Sequence, residues 1–128
     1  MTKGEIKYAT MFIDAAEMNY NLAAAGAVQA FIGAALTYAK GNGVPFLTRF
    51  FGSPITLGIN LILTLTDLAF STFAAREGMT GAAVIYKLTC VEQVKHQAGQ
   101  EFTYLDWQLT DVSVRWYKEI NGVKMVQS

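Results

Sequence analysis

The sequence predicts an α+β fold in which N-terminal helices are followed by an antiparallel β-meander ending in an Asn-Gly hairpin. Three observations carry this expectation. Within residues 5–20, Ile6, Ala9, Ile13, Ala16 and Tyr20 recur at spacings of three and four, and residues 21–39 form an Ala-rich run without a charge. From Ile55 to Thr66 the apolar residues alternate with period two. Asn121-Gly122 stands between two β-type runs, the strongest short signal for a two-residue type I′ turn. Helices first and strands afterwards argue α+β. No Pro- or Ser-rich linker divides the chain, so residues 1–128 are expected as a single domain, helical over about 1–40 and β-rich over about 54–128.

Each element has its own warrant. In residues 5–20, Glu5, Lys7, Asp14 and Glu17 supply a polar helix side, and Thr2 with Glu5 three residues on has the form of a capping box. In 21–39, Gly26, Ala30 and Ala34 stand four apart and make a stripe of small residues. A soluble core or interface helix is expected there in preference to a membrane span, because Ala, Gly and Gln make a weak span. Lys40-Gly41-Asn42-Gly43 has the chemistry of a helix stop. Pro45 and Pro54 then bracket Phe46, Leu47, Phe50 and Phe51, read as a lid on the core rather than an exposed anchor.

The stretch Ile55–Thr66 is read as a strand. Ile55, Leu57, Ile59, Leu61, Leu63 and Leu65 form one face. The other carries Thr56, Gly58, Asn60, Thr64 and Thr66, polar but uncharged. A helix starting at Ser53 is the rival, disfavoured by its threonines. After the Glu77–Gly81 turn, Ala83–Val94 alternates again, Gln97–Gln100 is a loop, and Phe102–Tyr117 is the longest strand. Its apolar parity switches near Thr110-Asp111, as one inserted residue would produce.

Composition bounds the function. Apolar residues make up 52% and charged ones 16%, below the roughly 25% of an average soluble domain, which predicts surface hidden against a partner subunit or a bilayer. Ten basic and ten acidic residues cancel, and no basic run exceeds a dipeptide, so no nucleic-acid partner is expected. Cys90 is the one cysteine, which precludes an intrachain disulfide, and Glu5, Asp14 and Glu17 interrupt any signal-peptide core. A cytoplasmic or virion-assembly setting is expected, with a membrane as the runner-up.

No catalytic signature is present. Cys90 and His96, six apart on one strand, would lie about 20 Å apart. One His and one Cys do not make a metal site, and no cofactor is expected. Gly41-Asn42-Gly43 lacks the residues of a phosphate loop. Asp67 is read as a structural partner of Arg76 or Arg49. If a pocket exists, Tyr104, Asp106, Trp107 and Asp111 are its lining candidates.

The expected function is a non-enzymatic structural protein that self-assembles as a homo-oligomer, with Thr56, Gly58, Asn60, Thr64 and Thr66 as candidate subunit-interface residues. The segment AVIYKLTCVEQVKHQAGQEF followed by DVSVRWYKEINGVKMVQ gives a strand, a Gly-containing loop, a long strand and an Asn-Gly hairpin. In this it resembles the closing strands of contractile-phage tail-tube proteins, over about a third of the chain. That resemblance implies stacked rings around a channel and no enzymatic residues; the Ala-rich N-terminal half departs from the pattern. Two alternatives stand beside it. One is a membrane protein with spanning helices at 20–39 and 54–74 and a C-terminal β-hairpin domain. The other is a nuclear-transport-factor-like domain, enzyme or ligand-binding module, by analogy of element order alone.

Overall fold

A computed structural model describes residues 1–51 and 59–128. The elements are β1 (Ile6–Asp14), α1 (Ala25–Phe51), α2 (Ile59–Ser71), β2 (Gly81–Gln97), β3 (Gln100–Ile120) and β4 (Val123–Val126). They form an antiparallel sheet in the order β1-β2-β3-β4. The class is α+β, but the expected order is wrong: a strand precedes the helices. Thr56 and Gly58, and the first part of the expected 55–66 strand, lie outside the described residues.

Residues 6–14 are a strand and not a helix because β2 offers the whole segment a partner, from Ile6 opposite Thr89 to Asp14 opposite Gly81. Ala9, Met11, Ile13 and Ala15 follow period two and are buried. The spacing of three and four in the same residues is a coincidence of Ala9 and Ile13 serving both patterns. Thr2 and Glu5 do pair, since the Thr2 amide donates to Glu5 Oε1 at 3.1 Å, but in a turn that leads into the strand. After β1, the Ala16 and Glu17 amides donate to Asp14 Oδ1, and Asn19 adopts a positive φ of 64° as the chain reverses.

Helix α1 does not stop at Lys40–Gly43. It runs 27 residues, through Gly41, Gly43 and Pro45. Val28, Phe31, Ala35, Ala39, Gly43 and Leu47 are its buried side. Packing of this stripe overrides the local stop chemistry, although Pro45 lacks the amide that would bond the Gly41 carbonyl. Phe46, Leu47 and Phe51 therefore reach the sheet as helical residues: the Phe46 ring lies 5.9 Å from Tyr86 and Phe51 lies 5.8 Å from Trp107. Phe50 projects outward, 51% exposed.

The described part of the expected 55–66 strand is helix. In α2, Ile62, Thr66 and Phe70 are buried at spacings of four, and Leu65 and Ala69 pack beside them. Thr66, disfavoured in a helix, is accommodated by donating its hydroxyl to the Ile62 carbonyl at 2.7 Å. Asp67 pairs with Lys40 of α1 at 3.1 Å, not with Arg49 or Arg76. No helix among the described residues is long and apolar enough to cross a membrane.

Both helices lie on one face of the sheet. Ala82, Val84, Tyr86 and Leu88 of β2 and Leu109, Val112 and Trp116 of β3 meet Phe31, Leu47, Ile62 and Phe70 from the helices. Thr110 is an extra residue in β3: Lys87 faces Asp111 and Leu88 faces Leu109. This bulge keeps Leu109 and Val112 on the same buried face despite their odd separation. On the opposite face, Phe12 meets Tyr117 edge-on at 4.9 Å and Lys124 sits over the Phe12 ring. Asn121 and Gly122 join β3 to β4 with φ of 52° and 79°, the geometry of a type I′ turn.

Candidate assembly interface

The three described residues expected at a subunit interface do not form one face. Asn60 and Thr64 are exposed on α2, whereas Thr66 is buried in the core. A helix distributes alternating residues around its circumference, so the uncharged strand face does not exist in the described segment.

The four expected pocket residues do not converge. Tyr104 and Asp106 sit on the outer side of β3, and Asp106 Oδ1 accepts from the Trp107 amide at 2.8 Å. Trp107 points to the helix side, between the Phe51 ring and the Lys7 ammonium 4.9 Å away. Asp111 is exposed beyond the bulge, opposite Lys87. The space between sheet and helices, where a cone-shaped domain would hold a ligand, is filled by Phe31, Leu47, Tyr86 and Leu88, all fully buried. Cys90 is a buried thiol and His96 is exposed on the same strand. Among the described residues no group of three or more His, Cys, Asp or Glu is placed to hold a metal ion.

The dominant surface feature is an arm. β2 and β3 run 17 and 21 residues, longer than the helical layer that covers them. The layer ends where Phe51 meets Trp107. From Val94 to Leu105 every residue is exposed. The ladder nonetheless continues, from Val91 opposite Asp106 to Gln97 opposite Gln100, and turns at Ala98-Gly99 with φ of 53° and 76°. At the usual rise the ribbon projects about 20 Å past Asp106. Val94, Phe102, Tyr104 and Leu105 are 49%, 48%, 46% and 38% exposed on it. Register puts Glu92, Val94, His96, Glu101, Thr103 and Leu105 on the face that continues the core side, and Phe102 and Tyr104 on the other. Sequence reasoning saw these strands and the loop between them. The signal it missed was length: the alternation runs past the point where the helices end.

A second surface is also low in charge. On α1, Gly26, Ala30, Gly33, Thr37 and Gly41 fall within a narrow strip of the helix and are all exposed. A Cβ at Gly26, Gly33 or Gly41 would meet nothing within 4 Å. The only charged residues of α1 and α2 are Lys40, Arg49 and Asp67.

Three surface cavities accompany these features. One, of about 310 Å³, lies between the segment after α2 and the end of β3, lined by Phe73, Arg76, Val114, Arg115, Trp116 and Gln127 among others. The remaining two, of about 170 and 320 Å³, flank Asp14. Among the described residues, two buried phenols, Tyr86 and Tyr117, have no hydrogen-bond partner. Burial pushes the Tyr86 phenol up to about 12; Tyr117 is raised equally, by burial and then by Asp14, Glu119 and Glu17. Neither lines any of these three cavities. Against known protein families, characterised proteins and solved structures, the chain shows no match.

Proposed function

We propose that the protein is a non-enzymatic structural subunit that self-assembles into a homo-oligomer, using the β2–β3 arm as its principal contact. The observation that carries this reading is the twelve-residue exposed stretch Val94–Leu105 with four large apolar side chains on a two-stranded ribbon. An isolated two-stranded ribbon is marginal in water, and apolar groups on both of its faces gain stability only when something covers them. The uncharged outer strip of α1 supports the same reading at a second place on the surface. A filled core and the dispersal of Tyr104, Asp106, Trp107 and Asp111 give no support to a ligand-binding cone.

The finer form of the proposal is a ring-forming subunit like those of contractile-phage tail tubes. What supports it is the succession of β2, a Gly-containing turn, the long β3, an Asn-Gly turn and β4. The test is imaging of the purified protein by negative stain alongside its mass in solution. Rings or stacked rings support the finer form. A discrete oligomer without a central opening retains self-assembly and removes the tube.

A further inference from the structure

The arm and the Arg76–Arg115 cleft lie at opposite ends of the sheet. Along β3, Gln100 at the arm tip and Trp116 at the cleft are sixteen residues apart, roughly 50 Å at the usual rise. No arm can reach the cleft of its own chain, so a contact between the two joins different copies.

Their chemistry is complementary. The cleft floor is apolar and held in place: Phe73 and Trp116 stack at 4.4 Å, and the Trp116 indole donates to the Ala74 carbonyl at 2.8 Å. Arg76 and Arg115 are exposed and line it, Arg115 from the strand position opposite Ala83, and no Asp or Glu does. On the core-side face of the arm, Glu92 and Glu101 flank Val94 and Leu105. Glu92 is held by Lys3 at 3.4 Å, an exposed pair that a guanidinium can displace. Two carboxylates around two apolar side chains thus match two guanidinium groups around an apolar floor.

We infer that the Glu92–Glu101 face of one arm docks on the Arg76–Arg115 cleft of a second copy of this chain. The inference rests on the self-assembly reading and gives it a direction. The contact joins two different patches, so it is made twice in an antiparallel two-fold dimer or repeated head-to-tail around a ring or along a filament.

The test is charge exchange, read as particle mass by light scattering, with far-UV circular dichroism confirming that each variant folds. One variant carries Arg76→Glu and Arg115→Glu, the other Glu92→Arg and Glu101→Arg. A milder Arg76→Gln, Arg115→Gln protein replaces the first if it does not fold, and is expected to weaken assembly at least tenfold. Each charge-reversed variant alone is expected at the 14.0 kDa of a single chain. Their equimolar mixture is expected to regain the wild-type mass, because each reversed surface finds its complement on the other variant. If both variants keep the wild-type mass, or if the mixture fails to restore it, this pairing is overturned and self-assembly stands. A wild-type protein that is itself a single chain overturns both.

Discussion

At the residue scale Gly43 of α1 fits closely against Tyr86 of the sheet. A Cβ on Gly43 would lie 2.8 Å from the Tyr86 hydroxyl oxygen, which is buried and unpartnered. Gly43→Ala is therefore expected to destabilise the fold by about 1–3 kcal/mol. Tyr86→Phe removes an unsatisfied hydroxyl and is expected to be neutral or stabilising, and to lessen the cost of Gly43→Ala. Urea unfolding of the two single variants and the double checks this; simple additivity would contradict the contact. The two buried phenols also set an alkaline limit. Below pH 10 they are neutral in folded and unfolded chains alike. Between their ordinary value of 10.0 and about 12, the unfolded chain ionises while the folded one does not, so stability falls as pH rises through that window. Tyr86→Phe with Tyr117→Phe is expected to flatten the fall, read as the urea midpoint against pH. At this scale the sequence was legible where chemistry was local, as at Asn121-Gly122, read as a turn and found as one. Gly43 looked like a helix stop because its reason, the Tyr86 ring on another element, is not visible in its neighbours.

At the element scale, two segments exchanged identities. Residues 6–14 carry both a helical and a strand pattern, and the ladder with β2 decides between them. In α2 the threonines favour strand locally, but Ile62, Thr66 and Phe70 meet the core only as a helix, and a single hydroxyl bond accommodates the buried threonine. Both cases show tertiary pairing overriding local preference. The parity switch near Thr110-Asp111, by contrast, was visible in the sequence because β3 is buried on one face on both sides of it. Deleting Thr110 would leave Lys87 opposite Asp111 and Leu88 opposite Leu109 in an unbroken ladder, with Leu109 and Trp107 still on the inner face. A change within about 1 kcal/mol is expected from urea unfolding; a loss of about 3 kcal/mol or more would show that the extra residue itself is needed to place these side chains. On α1, Gly26, Gly33 and Gly41 face open space, so alanine at all three is expected to raise the stability of the single chain by about 0.5–1 kcal/mol per site. Thermal unfolding at low protein concentration, where association is minimal, reads this directly.

At the scale of the whole molecule, the fold is a two-layer body with a ribbon extending from it. The helices cover β1, the lower half of β2 and β3 from Trp107 onward, and leave Val94–Leu105 outside any core. The low charge content predicted a hidden surface, and the structure contains exposed apolar groups at the arm, at β4 and at Phe50. Where that surface would lie was not legible, because the site proposed on residues 55–66 depended on their being a strand. Val94→Ser with Leu105→Ser, on the arm face that carries Glu92 and Glu101, is expected to reduce the oligomer and spare the body, since these side chains belong to no buried cluster. The most direct test of the account is the mass of the wild-type particle in solution across a range of concentrations. A discrete multiple of 14.0 kDa, lost in the Val94→Ser, Leu105→Ser variant, is the expected result. A wild-type protein that stays a single chain at every concentration, with the arm exposed, would contradict it.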